Sequence, residues 1–133
     1  MALGIDPKVR PFHTETTAFA NGNDTPRNYL ERCIEIIDAH EGDIGAFVAT
    51  NLDNARSAAD ESTARWKNGA MLSPIDGMPI GVKDVMETAD MVTEQGSPLF
   101  AGWKMGRDCA AVAALREAGA VVVGKTVTTE FAA

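Results

Sequence analysis

Ala120-Val121-Val122-Val123, set between Gly119 and Gly124, limits what this chain can become. Three successive β-branched residues without polar alternation suit a strand buried on both faces. Such a strand needs a layer on each side, and the preceding sequence offers helices to build them. Thr25 offers an N-cap and Pro26 a first helical residue. Tyr29, Leu30, Cys33, Ile34 and Ile37 follow at helical spacing, which predicts an amphipathic helix over 26–39 ending near His40-Glu41-Gly42. Residues 45–50 read as a short strand. Asn51 caps a second helix with Leu52, Ala55, Ala59 and Trp66 on one side, Lys67 in its last turn and Gly69 just beyond. Ser73-Pro74-Ile75-Asp76-Gly77 is a turn signal before a short strand at 79–83. Residues 86–106 read as irregular. Asp108 is the expected cap of a third helix through Ala111, Val112, Leu115 and Ala118, and Gly124-Lys125-Thr126 is expected to turn out of the final strand. Residues 1–24 read as an irregular arm, so the chain divides into that arm and an α/β unit over 25–133.

The strand at 79–83 carries a lysine inside the apolar run Pro79-Ile80-Gly81-Val82-Lys83-Asp84-Val85. Lysine is almost never buried without a partner. Lys83 therefore either reaches water or is held inside, where desolvation disfavours the ammonium and creates a candidate base. Successive strand side chains point to opposite faces, so Asp84 need not pair with it. Other carboxylate neighbours, Glu31 with Glu35 and Asp60 with Glu61, read as solvated helix faces.

Several functions find little support. The net charge is −7; residues 1–70 carry 7 basic and 11 acidic side chains, and residues 71–133 carry 5 and 8. No basic stripe exists for direct nucleic-acid contact or for an anionic membrane surface. No apolar run approaches the ~20 residues of a membrane span, and the first twelve residues do not read as a secretory signal. Cys33 and Cys109 form no paired framework and suit a reduced, cytoplasmic chain. His13 and His40 lack ligand-spaced partners for a metal. A Cys109–His40 nucleophile pair is left open by spacing, although Cys109 sits in an Ala-rich helix start that reads as packing. Gly119-Ala120-Val121-Val122-Val123-Gly124-Lys125-Thr126 satisfies the spelling of a nucleotide P-loop. A P-loop requires strand, flexible loop and then helix. Here a helix precedes Gly119 and the middle residues are themselves the strand.

The residues from 75 onward resemble the amidase signature family of serine amidohydrolases. The blocks are Asp76-Gly77-Met78-Pro79-Ile80-Gly81-Val82-Lys83-Asp84, Thr88-Ala89-Asp90-Met91-Val92-Thr93, Gly96-Ser97-Pro98, Asp108-Cys109-Ala110-Ala111-Val112, Leu115-Arg116-Glu117-Ala118-Gly119-Ala120, and Val122-Val123-Gly124-Lys125-Thr126-Val127-Thr128-Thr129-Glu130-Phe131-Ala132. The segments at 26–39 and 45–67 resemble the family's entry segment more loosely. The resemblance implies an α/β fold, part of an α/β/α sandwich around a twisted mixed sheet. It implies a Ser–cis-Ser–Lys catalytic unit with Lys83 as base, acting without cofactor on a small amide through an acyl-enzyme. The family's two serines follow in Gly/Ser-rich blocks that do not occur within these 133 residues. The expectation is an N-terminal portion, inactive alone, whose partner is a complementary C-terminal portion or a second copy. A non-catalytic interaction module is the alternative, and a P-loop-like nucleotide binder a more distant one. The family also includes the glutaminase subunit of tRNA-dependent amidotransferases, a branch this sequence neither supports nor excludes.

Overall fold

The computed structural model describes residues 11–133. Its helices are α1 (Phe12–Ala20), α2 (Pro26–Ile44), α3 (Leu52–Lys67) and α4 (Ala110–Glu117), and its strands are β1 (Phe47–Thr50), β2 (Pro79–Lys83) and β3 (Val121–Thr126). Single 3-10 turns lie at Pro98–Phe100 and Glu130–Ala132. The first of these helices corrects the irregular arm expected over residues 1–24; residues 1–10 of that arm lie outside the described residues. In α1, Phe12, Glu15 and Phe19 share the buried face. Phe12 and Phe19 meet Tyr29 edge-on at 5.5 and 6.3 Å, and Phe19 meets Trp66 at 5.7 Å. These ring contacts supply the tertiary support that a short, threonine-rich helix lacks by propensity.

Capping chemistry sets the next two helices. The Thr25 hydroxyl accepts from the Asn28 N–H at 3.1 Å, and Pro26 occupies the first turn. Helix α2 runs past Gly42 to Ile44. A glycine costs a helix only about 1 kcal/mol. The stop is Gly45, in the left-handed region at φ 61°, with its N–H on the Glu41 carbonyl at 2.8 Å. Asn51 caps α3 as its sequence implied, through the Asn54 N–H. The cap of α4 differs from expectation. Cys109 holds that position without a side-chain bond, while the Asp108 carboxylate accepts from the Ala89 N–H at 2.7 Å and pairs with Arg116.

The sheet has the order β1-β3-β2, with β1 antiparallel and β2 parallel to β3. Val121 and Val123 pack with Leu30, Ile34, Ala55 and Ala59 of α2 and α3. Val122 packs on the other side with Val82, Met91 and Val112 of α4. Helices on both faces of a mixed sheet give the α/β/α layering.

Strand β3 does not end at Val123. Its pairing runs through Gly124 and Lys125 to Thr126, which corrects the expected turn. The register with β2 shifts once, since Ile80 faces Val122 but Gly81 faces Gly124, and Val123 is the extra residue of a bulge. A Cβ at Gly124 would collide with the Ala49 carbonyl oxygen and stand 2.8 Å from Phe47 Cδ1. Gly124→Ala is expected to cost about 1–3 kcal/mol by forcing β1 away from β3. A urea unfolding midpoint equal to that of the parent would contradict this account of the close approach.

Candidate functional site

Strand alternation places successive residues at the end of β2 and just beyond it in opposite environments. Val82 and Asp84 are buried, whereas Gly81 and Lys83 are exposed. The desolvated seat considered for Lys83 is therefore absent here; its side chain leaves an open sheet face. Gly81, two residues earlier on that face, contributes no side chain. A Cβ there would lie 2.8 Å from Thr126 Cγ2, with Phe47 at 3.7 Å. Thr126 is the cross-strand partner of Lys83. The result is a shallow floor of Gly81, Thr126 and Phe47 beside an outward lysine.

Asp84 is tied on every side. Its N–H donates to the Thr126 carbonyl at 2.9 Å, and its carbonyl accepts from the Gln95 N–H at 2.9 Å. Its carboxylate accepts from the Glu94 N–H at 3.2 Å and lies 3.1 Å from Lys125 Nζ. Lys125 is wholly buried. Its ammonium also donates to Thr93 Oγ1 at 2.7 Å and to the Val92 carbonyl at 3.2 Å. The chain thus does bury a lysine with a partner, and that lysine is Lys125. The Val123 bulge accounts for its seat, because one inserted residue moves the following side chains to the other face. Lys125 then stands opposite Val82, on the α4 side, next to Asp84.

This arrangement also disposes of the P-loop reading. Gly124, Lys125 and Thr126 are strand residues in two ladders, and the lysine is occupied by a carboxylate. Cys109 packs against the Val82, Met91, Val112 and Val122 cluster, and His40 is exposed at the far end of α2. No group of three or more His, Cys, Asp or Glu side chains suited to a metal occurs among the described residues. No helix among them is long and apolar enough to cross a membrane. Surface clefts beside Trp66 and between α3 and α4 do not involve Lys83. Lys83 lies instead on the open face described above.

Known proteins share both this sequence and this geometry. The family described as Amidase matches residues 28–133. A glutamyl-tRNA(Gln) amidotransferase subunit from Anaeromyxobacter sp. (strain K) is 40% identical over 103 residues, covering 77% of this chain and 21% of that protein. A chain from a vestigial protein complex, described as revealing the origins of an s-triazine catabolic enzyme, superposes with a TM-score of 0.83 at 30% identity, covering 90% of this chain and 26% of its own. The native peptide amidase of Stenotrophomonas maltophilia gives a TM-score of 0.83 at 28% identity, with 90% and 25% covered. The chain thus spans about a quarter or less of the length of these relatives.

Proposed function

This chain belongs to the amidase family, and from that premise we propose that it forms part of an enzyme hydrolysing small carboxamides, with Lys83 as the base. The supporting observation is the end of β2: a lysine on an open sheet face, over a floor without side-chain cover at Gly81, followed by an immobilised Asp84. The two serines of the unit come from sequence outside these residues. Neutral Lys83 takes the proton of the bridging serine, which takes the proton of the nucleophilic serine as its oxygen attacks the amide carbon. The tetrahedral intermediate expels ammonia or an amine, the proton returning to the leaving nitrogen. Water then cleaves the acyl-enzyme by the same relay. A lysine base works only when desolvated. The exposed seat of Lys83 must therefore be covered in the working enzyme, and the rest of the domain provides that cover. The test is loss of amide hydrolysis on replacing Lys83 in the intact enzyme.

The sheet favours a second reading for the 133 residues by themselves, that of a module awaiting a complementary chain. Strands β1 and β2 each have one side unpaired in this sheet. Leu99, Trp103 and Phe131 are exposed, with Phe100 in edge contact with both Trp103 and Phe131. Open edges and apolar patches invite association. The relatives include a protein named as one component of an amidotransferase and a chain from a complex, which supports a protein partner. The isolated chain is expected to self-associate without turnover. Sedimentation showing a monomer at all concentrations would remove this reading. The free thiols Cys33 and Cys109 support a reducing compartment, and we place the enzyme in the cytoplasm.

A further inference from the structure

We propose that Lys125 is a positioning residue for Lys83, acting through Asp84; this rests on the reading of Lys83 as the base. Lys83 has no buried side-chain packing of its own to fix its direction. Its aim is set by the backbone on either side, and the residue that follows it is the most constrained point of the strand end. Asp84 is held by β3 through the Thr126 carbonyl at 2.9 Å, by the returning segment through the Gln95 and Glu94 N–H groups at 2.9 and 3.2 Å, and by the Lys125 ammonium at 3.1 Å.

Lys125 is the side chain common to these elements. It belongs to β3, faces the carboxylate at the end of β2, and holds the excursion between them through Val92 and Thr93. The Thr93 N–H in turn donates to the Trp103 carbonyl at 2.8 Å, so the clamp reaches Trp103, just past the Pro98–Phe100 turn. A buried ion pair contributes little net stability compared with an apolar replacement of equal volume. Here the ammonium is shared among Asp84, Thr93 Oγ1 and the Val92 carbonyl, which ties the end of β2 to the segment that follows it. A proton-transfer lysine needs a fixed position, since a displacement of about 1 Å lowers turnover by about 10²-fold.

The experiment uses the intact enzyme and acetyl-phenylalaninamide as probe, following ammonia release well below each variant's unfolding temperature. Thr93→Val removes the 2.7 Å hydroxyl contact with the ammonium yet keeps the ion pair and the side-chain shape. It is expected to lower kcat about tenfold, with KM within about twofold. Lys125→Met strands the Asp84 carboxylate and is expected to lower kcat about 10²-fold, again at constant KM; if it does not fold, Thr93→Val alone decides. Amide hydrogen exchange at Asp84 and Gln95 is expected to quicken in both variants. Folded variants with parental kcat and parental exchange at those two amides overturn the proposal. An active Lys83→Ala enzyme would overturn only the base assignment. Exchange at Asp84 and Gln95 then still reports whether Lys125 holds the strand end, and unchanged exchange overturns that as well.

Discussion

Lys83→Ala in the intact enzyme is expected to reduce kcat for amide hydrolysis by about 10³-fold or more, the scale on which catalytic units fail when one member is removed. Lys83 is exposed in these residues but covered in the working enzyme, so each variant's urea midpoint is needed to separate lost chemistry from lost structure. Lys83→Arg provides a sharper form of the same experiment. A guanidinium keeps the charge and length but does not give up its proton in proteins. A base is lost in both variants, whereas a lysine that merely attracts substrate would be largely replaced by arginine. Steady-state ammonia release and urea unfolding report the two quantities separately. Activity within tenfold of the parent in either variant would remove Lys83 from the chemistry.

A large stability effect is expected at Asp76. Its carboxylate is fully buried and receives Arg65 in a two-pronged pair, Nε at 2.8 Å and Nη2 at 2.7 Å. It also accepts from the Leu72 N–H at 2.9 Å. Its carbonyl accepts from the Trp66 indole at 2.9 Å. The neighbouring Gly77 N–H bonds the Gly119 carbonyl at 2.8 Å, and the Ser73 hydroxyl bonds the Ala118 carbonyl at 2.6 Å. Asp76 thus joins the end of α3 to the approach to β2, and its neighbours Gly77 and Ser73 tie that approach to the turn after α4. Removing one member of a buried pair costs about 3–5 kcal/mol, a large part of a typical domain's stability of about 5–15 kcal/mol. Asp76→Ala is expected to lower the urea midpoint accordingly.

The pH dependence follows from the same contacts. Burial by itself raises the Asp76 carboxyl, but the Arg65 hydrogen bonds, the Leu72 N–H and the Ser62 hydroxyl outweigh it and leave the group below its ordinary value. A carboxyl lowered in the folded state binds its proton more readily when unfolded. Its contribution is therefore complete above the unfolded value of about 4 and is lost as pH falls through the folded one. The acid limb of the stability profile should be shallower in Asp76→Asn than in the parent. Equal slopes between about pH 5 and pH 2 would contradict the pairing.

The layered architecture was legible where local chemistry decides the outcome. Asn51, Lys67 and Gly69 frame α3, and the turn before Pro79 starts β2 where the sequence places it. Besides the end of α2, three features escaped. Helix α1 is held by rings distant in sequence, and its local signal was only Pro11 with Phe12 and Phe19 seven residues apart. Asp108 has the chemistry of a cap but is used by the Ala89 N–H instead. The exchange of environments between Lys83 and Lys125 is the most informative failure. Both lysines sit in apolar runs with glycine before them. Only the bulge at Val123 and the position of β2 beside a single neighbour decide which one is enclosed. Neither property is encoded in hydrophobic periodicity, because a one-residue shift reverses every face beyond it.

The order β1-β3-β2 has a consequence for the protein's synthesis. The central strand is the last of the three to be made, and Phe47 finds its register partner only at Thr126. A nascent chain carrying both outer strands has nothing to bridge them until β3 has left the ribosome. Sheet formation is consequently a late, nonlocal event. During that interval, Val82 and Ile80 wait without their strand neighbour. The growing polypeptide is then open to mispairing, so translation adds an exposure of its own to the open edges of the folded sheet.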